Sequence, residues 1–370
     1  MTIGESSSRA LSRQDGLNRR LTKMFDALKG APREVLPSKY WEELNRRNLA
    51  ELDDAGYANF KRTIARSYFT WIVSPLDTQI RFLIRQLPLP AIIANAIRSL
   101  LAPSQPPLAW KQSLSYSFLT RLLWEYATRR EPGLLDRLEE PREGNAPNLA
   151  RNGKLISQDL ANSALEYRSV LAPEVDAGEI KTILELGPGY GRTAFVFLTL
   201  MPGVRYILAD IPPALAISER YLSTLFPERS VFPFRPFQTY DEVRDEFEKA
   251  QVAFLLPHQL ELLPDNSADL FINISSLHEM RMDQIDYYFR IIRRVIRKYA
   301  YIKQWKESRI PFEDIVIRET DYPVPSEWKQ IYWRTCAVQD SFFEALFELD
   351  SSDFQEGNPQ PAPSEKRTES

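Results

Sequence analysis

From about residue 176 the chain alternates short apolar runs with amphipathic stretches. "TILELG", "VRYILAD", "VAFLLP", "DLFINIS" and "YAYIKQW" each have the near-continuous apolar character of a strand buried on both faces. Helical stretches separate several of them, so the pattern predicts βαβ units: an α/β fold, a doubly wound, mostly parallel, Rossmann-like sheet. Before it, in "SKYWEELNRRNLAELDDAGYANFKRTIARSYF", Trp41, Leu44, Leu49 and Leu52 recur near one helical face. The stretch "EEPREGNAPNLARNG" at 139–153 interrupts that period and reads as a loop between layers. The ends are polar and poor in large apolar groups, and are expected to be disordered. The predicted organisation is a tail over 1–30, a helical cap or lid over 31–150, a sheet domain over 151–350 and a second tail over 351–370.

"DQIDYYFRIIRRVIRK" places Ile285, Tyr288, Phe289, Ile292, Val295 and Ile296 on one helical stripe. Its arginines fall on the solvated side, and Arg297 and Lys298 are expected at the C-terminal end of that helix, where the dipole favours cations.

Charge and composition narrow the function. With 47 basic and 50 acidic side chains among 370 residues, the net charge is −3. The chain has no overall footprint of a nucleic-acid binder. The one cysteine, Cys336, cannot form an internal disulfide and fits a reducing compartment, with the cytoplasm as the expected location. The first residues lack the apolar core of a secretory signal. The most apolar region, "SYFTWIVSPLDTQIRFLIRQLPLPAIIANAIRSLLAP", is broken by Asp77, Arg81, Arg85 and prolines, so packed helices are expected in place of a transmembrane segment.

Chemistry is concentrated at "ILELGPGYGRTAFVFL", residues 183–198. A glycine-rich turn after a strand and before a helix lets a ligand approach the backbone and the free N–H groups of the helix start. A dinucleotide fingerprint, G-x-G-x-x-G, would need a third glycine at 192, which is Arg192. Here Gly187, Gly189 and Gly191 alternate after Glu185, and Glu-x-Gly-x-Gly-x-Gly resembles the motif of class I S-adenosylmethionine-dependent methyltransferases. That resemblance implies S-adenosylmethionine as cofactor. It also gives a role to Asp210, at the tip of the second strand, where a carboxylate can accept hydrogen bonds from both ribose hydroxyls. His258 and Gln259, at the mouth of the third strand, are expected near the adenine, and Asn273, in the fourth strand, joins the cofactor group.

"SSLHEM" leaves the carboxyl end of the fourth strand, the edge at which open α/β sheets hold ligands. His278 and Glu279 are therefore the two candidates for a general base. No compact Asp/Glu/His cluster marks a metal site, and none is predicted.

A narrower resemblance is carried by "PSKYWEELNRRNLAEL", "NFKRTIARSYFTW", "LISQDLANSALEYRSV", "FINISSLHEM", "YIKQW", "DYPVPSEWKQIYWRT" and "SFFEALFEL". Together they resemble the sugar O-methyltransferase family associated with bacterial polysaccharide and glycan loci, over roughly residues 35 to 350. The resemblance implies methyl transfer to a hydroxyl of a sugar or glycan precursor. A methyltransferase of the same fold acting on another small molecule, and a noncatalytic S-adenosylmethionine-binding module, remain alternatives. Sugar recognition pairs aromatic faces with amides and charged groups, which selects Asn162, Tyr167, Lys303 and Trp305 as acceptor candidates. The N-terminal helices are expected to supply a lid or a homodimer surface.

Overall fold

The computed structural model of the chain describes residues 16, 18–52, 54–63, 76–102, 110–310 and 314–349. Its centre is an eight-stranded sheet whose principal strands are β1 (Thr182–Leu186), β2 (Arg205–Ala209), β3 (Val252–Leu255), β4 (Ala268–Ile274), β5 (Ile296–Trp305), β6 (Lys329–Thr335) and β7 (Phe342–Glu348). The order across the sheet is β6-β7-β5-β4-β1-β2-β3, closed at the far edge by the two-residue strand Val231–Phe232. β1 to β5 run parallel, and β7 returns antiparallel between β5 and β6. The doubly wound, mostly parallel sheet is the one the apolar runs predict.

Strand direction follows from burial. Every residue of β3 and β4 is buried, so both faces must be covered. Ile183, Tyr206, Phe254, Ile272 and Tyr301 face one apolar layer, packed by the helices α6 (Gln158–Val170), α7 (Arg192–Leu200) and α8 (Ala214–Leu225). Leu184, Ile207, Ala253, Phe271 and Ile302 face the other, against α9 (Met282–Val295). Successive strand residues point to opposite faces, so each strand contributes to both layers.

The N-terminal region is helical, as expected: α2 (Lys39–Glu51), α3 (Leu76–Gln86), α4 (Leu89–Leu101) and α5 (Trp110–Arg130), with α3 and α4 packed on α5. Leu83, Leu119, Leu123, Leu160 and Val196 join this region to α6 and α7. Three sequence expectations change. Residues 18–29 form a helix, α1, within the stretch expected to be a tail, because Leu21, Met24 and Leu28 recur at helical spacing and are buried in the core; residues 1–15 and 351–370 lie outside the described residues. The helix α9 stops at Val295, so Arg297 and Lys298 sit in β5, paired with Asp269 and Glu179. The cause is Ile296-Tyr299-Tyr301, whose backbone pairs with β4 and whose side chains need the pleated surface. Arg294, expected on the solvated face, instead donates to the carbonyls of Leu260 and Glu261 and to Asp265, ending the 3-10 turn Pro257–Leu262.

α6 is fixed at both ends by polar bonds. Ser157 Oγ caps its first turn, accepting from Leu160 N at 3.0 Å, and donates to buried Glu140 at 2.6 Å. Further along, Glu166 takes a two-pronged ion pair from Arg192, the first residue of α7, and a 2.7 Å bond from Lys303 Nζ on β5. All three side chains are at most 6% exposed. The two cations hold the Glu166 carboxyl below its usual range despite burial. Glu166→Gln should leave two buried cations without their carboxylate and lower stability by about 3–5 kcal/mol, read as a fall in the urea midpoint. Glu43→Gln, which breaks exposed pairs with Arg46 and Arg47, should leave that midpoint where it is.

Candidate functional site

The sheet order reverses between β1 and β4, and the loops leaving these two strands face each other across the resulting crevice. After β1 the chain turns through Gly187, Gly189 and Gly191 with φ of 69°, 60° and 88°, a region L side chains avoid. Gly187 has a second reason to be glycine: a Cβ there would lie 2.6 Å from the Cβ of Ser276, in the loop after β4. The backbone of the turn is thus pressed directly against the other side of the crevice.

Asp210, at the end of β2, closes the third side. Its Oδ2 accepts from Gly189 N at 2.9 Å and its Oδ1 from Ile211 N at 2.8 Å, so the carboxyl is aligned on the turn with a lone pair left on each oxygen. Burial pushes it up to about 7, against the pull of those two backbone donors.

The loop after β4 is set by Asn273. Fully buried, Asn273 donates to Leu186 O at 2.9 Å and to Ser276 Oγ at 2.7 Å, and accepts from Gln304 Nε2 at 2.6 Å. That last bond fixes which way the Gln304 amide points, with its oxygen toward His278 Nδ1 at 2.9 Å. His278 therefore donates from Nδ1 and keeps its lone pair on Nε2, which faces Glu279 Oε1 at 3.8 Å. Burial drives the imidazole down to about 4, so it is neutral at physiological pH. Glu279, about a quarter exposed, is pushed up to about 8 by burial and then by the charge of Asp210, while a bond from Trp41 opposes the rise.

Trp41 belongs to a strap, residues 33–41, that lies over the crevice. Its Ser38 Oγ donates to Glu279 O at 3.4 Å. From the other side, Arg281 donates to Arg33 O at 3.0 Å, and Gln284 donates to Glu34 O and Leu36 O at 3.1 and 3.0 Å. Val35, Ser38 and Trp41 thus join Gly187, Asp210, Ser276 and Tyr288 around one cavity of about 50 Å³. A ligand pocket is typically about 300–1,000 Å³, so the crevice, with the strap across it, is smaller than a ligand of that class needs.

The predicted site residues divide between three places. Gly187 and Asp210 line this cavity, with Gly189, Gly191, His278 and Glu279 in its bounding loops. Glu185, Gln259 and Asn273 do not offer side chains to it. Glu185 points into the opposite sheet face, accepting from Tyr206 OH at 2.8 Å, because it alternates with Leu184 and Leu186. Gln259 is spent on Leu256 N and Arg235 O. His258 is half-buried beside Pro257, which does line the cavity; its Nδ1 has no hydrogen-bond partner among the described residues. Among the acceptor candidates, Tyr167 packs on Phe197 at 4.8 Å and Trp305 on Phe342 at 4.6 Å. Asn162 and Lys303 meet in a second cavity of about 540 Å³ between α5, α6 and the β5–β7–β6 corner.

Sequence reasoning missed Ser276, Gln304 and the strap. For Ser276 the glycine turn held the signal, since close backbone approach requires a partner surface. The strap sequence, Arg33 to Trp41, mixes three charged residues with apolar and aromatic ones and carries no motif that announced its place, beyond the lid expected over 31–150. Among the described residues no group of three or more His, Cys, Asp or Glu could hold a metal ion, and no helix is long and apolar enough to cross a membrane.

No protein-family model matches the chain, and no curated protein does. Solved structures do match. The mitomycin 7-O-methyltransferase MmcR aligns over 78% of this chain and 76% of its own, at 15% identity and a TM-score of 0.35. Magnesium protoporphyrin IX methyltransferase (ChlM) from Synechocystis PCC 6803, solved with bound SAH, aligns over 52% and 86%, at 9% identity and a TM-score of 0.36. The PH0226 protein from Pyrococcus horikoshii OT3 aligns over 50% and 91%, at 13% identity and a TM-score of 0.35. These are likenesses; the side chains at the crevice are this chain's own.

Gly187→Ala should cost about 2–4 kcal/mol, the sum of left-handed strain and the clash with Ser276. Ser276→Gly removes that clash but also the bond from Asn273, so the test is a double-mutant cycle: in the Ser276→Gly background Gly187→Ala should cost less, leaving roughly the 1–2 kcal/mol of backbone strain. Thermal melts of both single variants and the double variant check this; the same cost of Gly187→Ala in both backgrounds would show that Ser276 does not abut the turn.

Proposed function

We propose that the chain is an S-adenosylmethionine-dependent O-methyltransferase. The observation that carries this reading is the grouping of the glycine turn, Asp210 and Glu279 around one crevice at the carboxyl edge of the sheet. Two carboxyls raised toward neutrality, both by burial and Glu279 further by the charge of Asp210, make a site that favours a cation. S-adenosylmethionine carries a sulfonium and an ammonium, and its ribose diol matches the free lone pairs of Asp210. The turn's glycines leave the backbone open to close approach.

With the strap displaced to make room, the glycine turn and Asp210 would hold S-adenosylmethionine, which would supply a methyl group, its carbon–sulfur bond exchanged for a carbon–oxygen bond to the acceptor and S-adenosylhomocysteine leaving. Asp210 holds the ribose and orders the glycine turn. Glu279, as a carboxylate, takes the proton of the acceptor hydroxyl. His278, a weak base at about 4, keeps its Nε2 lone pair 3.8 Å from Glu279 Oε1, where it can accept from that carboxyl only once the carboxyl is protonated, and Gln304 and Asn273 hold His278 in place. Trp41 bonds Glu279 from above, and the strap excludes water. The finer reading, a hydroxyl of a sugar or glycan precursor as acceptor, rests on the sequence resemblance over roughly residues 35 to 350.

Asp210→Ala should weaken S-adenosylmethionine binding about ten- to a hundredfold, the loss of a charge-assisted bond, and should also lower the melting temperature of the free protein, because Gly189 N and Ile211 N lose their acceptor. Because Asp210 has its midpoint near 7, binding a cation should pull the carboxyl into its charged form and release protons around neutral pH. Calorimetry in two buffers of different ionisation enthalpy measures both effects; unchanged affinity removes Asp210 from the site.

For Glu279 the sign is opposite to that of a histidine general acid: the active form is the deprotonated one, so kcat should rise with pH to a plateau at or above about 8. Glu279→Gln should abolish that limb and lower kcat by roughly 10²–10⁴-fold. His278→Gln should keep the limb and show a smaller defect, since a group at about 4 does not titrate there. A deeper defect in His278→Gln, with the limb lost, would make His278 the base.

A further inference from the structure

Every large apolar side chain that is exposed among the described residues lies between Ile84 and Leu101. Ile84 belongs to α3; Leu89, Ile93, Ile97, Leu100 and Leu101 follow at helical spacing along one side of α4, each 50–81% exposed. The other side of α4 is polar and buried. Asn95 and Ser99 are 1% and 3% exposed, and neither end of the Asn95 amide has a hydrogen-bond partner among the described residues. Ile92 is the one large apolar side chain of this helix turned to the core. A helix at a protein–water boundary normally turns its apolar stripe in and its polar side out. α4 is turned the other way, at the cost of an unsatisfied amide, and an apolar stripe held outward in this way marks a surface that meets a partner.

Charge selects that partner. From Thr78 to Trp124 the sequence holds no aspartate or glutamate, in a chain with 50 of them among 370 residues. The same stretch holds five cations, Arg81, Arg85, Arg98, Lys111 and Arg121, so it carries +5 within a chain of net charge −3. Arg85 and Arg98 are exposed, toward the two ends of the stripe. A twofold contact between two copies of the chain would set these like charges against each other. An anionic lipid surface matches both properties: its headgroups attract the cations and its acyl boundary accepts the stripe. With 13 residues, α4 is about 20 Å long. That is short of the roughly 30 Å hydrocarbon core, so the helix can lie along a bilayer but cannot cross it.

We propose that α4 docks the protein on a membrane surface rich in anionic lipid. Leu89, Ile93, Ile97 and Leu100 enter the boundary between headgroups and acyl chains, and Arg85 and Arg98 meet the headgroups.

Co-sedimentation of the full chain with vesicles of phosphatidylcholine alone, and of phosphatidylcholine and phosphatidylglycerol in equal parts, tests the proposal. The chain should bind the anionic vesicles about tenfold or more tightly than the neutral ones, and less as salt is raised. Arg85→Gln and Arg98→Gln should each weaken that binding about fivefold, the loss of one cation near the surface. Ile93→Ser combined with Ile97→Ser should weaken it roughly a hundredfold. No binding to the anionic vesicles, equal binding to both kinds, or wild-type binding by the double isoleucine variant overturns the proposal. Other occupants of the stripe would show themselves without lipid. If the chain is a dimer by sedimentation equilibrium and the isoleucine variant a monomer, a second copy covers the stripe. If that variant melts as low as Leu119→Ala, which empties a fully buried position on α5, another part of the same chain covers it. Either result overturns the membrane surface as partner, whereas a monomer that melts like the wild type and loses vesicle binding supports it.

Discussion

The Asn273 amide is bonded to β1 through Leu186 O, to β5 through Gln304 and to its own outgoing loop through Ser276 Oγ. A parallel sheet joins neighbouring strands by slanted backbone bonds along their length, but those bonds stop at the carboxyl edge, where the order reverses. One buried side chain spans the gap. Because it uses both its donor and its acceptor end, the three strand ends keep one relative position, and the glycine turn, the His278 loop and Gln304 are all placed by it. Asn273, expected to touch a cofactor, instead sets where the residues lining the crevice stand.

That placement has an electrostatic side. The carboxyls of Glu185, Asp210 and Glu279 are all raised, and burial leads each rise. By contrast, Glu166 lies equally deep and is held down, because Arg192 and Lys303 reach it. The molecule thus keeps its internal cations on the α6 face and leaves the crevice carboxyls to neutral donors. Charging those carboxyls as pH rises from the ordinary range of an acid toward 8 works against the free fold, and a bound cation reverses that cost.

Much of the fold was legible in the sequence because parallel strands buried on both faces leave continuous apolar runs, and five such runs became β1 to β5. The glycine turn was legible for a related reason, since a left-handed backbone admits few residues. What failed was side-chain direction. Glu185, Gln259 and Asn273 lie at the right heights in the chain, yet alternation turns Glu185 to the other face and local bonds consume the two amides. The helix-to-strand change at Val295–Ile296 failed for the same reason that β-branched residues fit both periods over a few positions. Lys303 and Asn162 were singled out separately in the sequence, but their meeting with Gln339 depends on β7 returning antiparallel, which brings the residues just before it beside β5.

The strap over the crevice is latched in an asymmetric way. Arg281 and Gln284 supply side-chain donors, whereas residues 33, 34 and 36 supply only main-chain oxygens. Any residue at those three positions presents the same carbonyls, so the fastening is written in α9 and its approach, far along the chain from the piece it fastens. On the proposed reading, a spent cofactor must leave past this segment on every cycle. The rate of exchange would then be tuned by Gln284 and Arg281, and the identity of the residues in the moving piece would be free to drift.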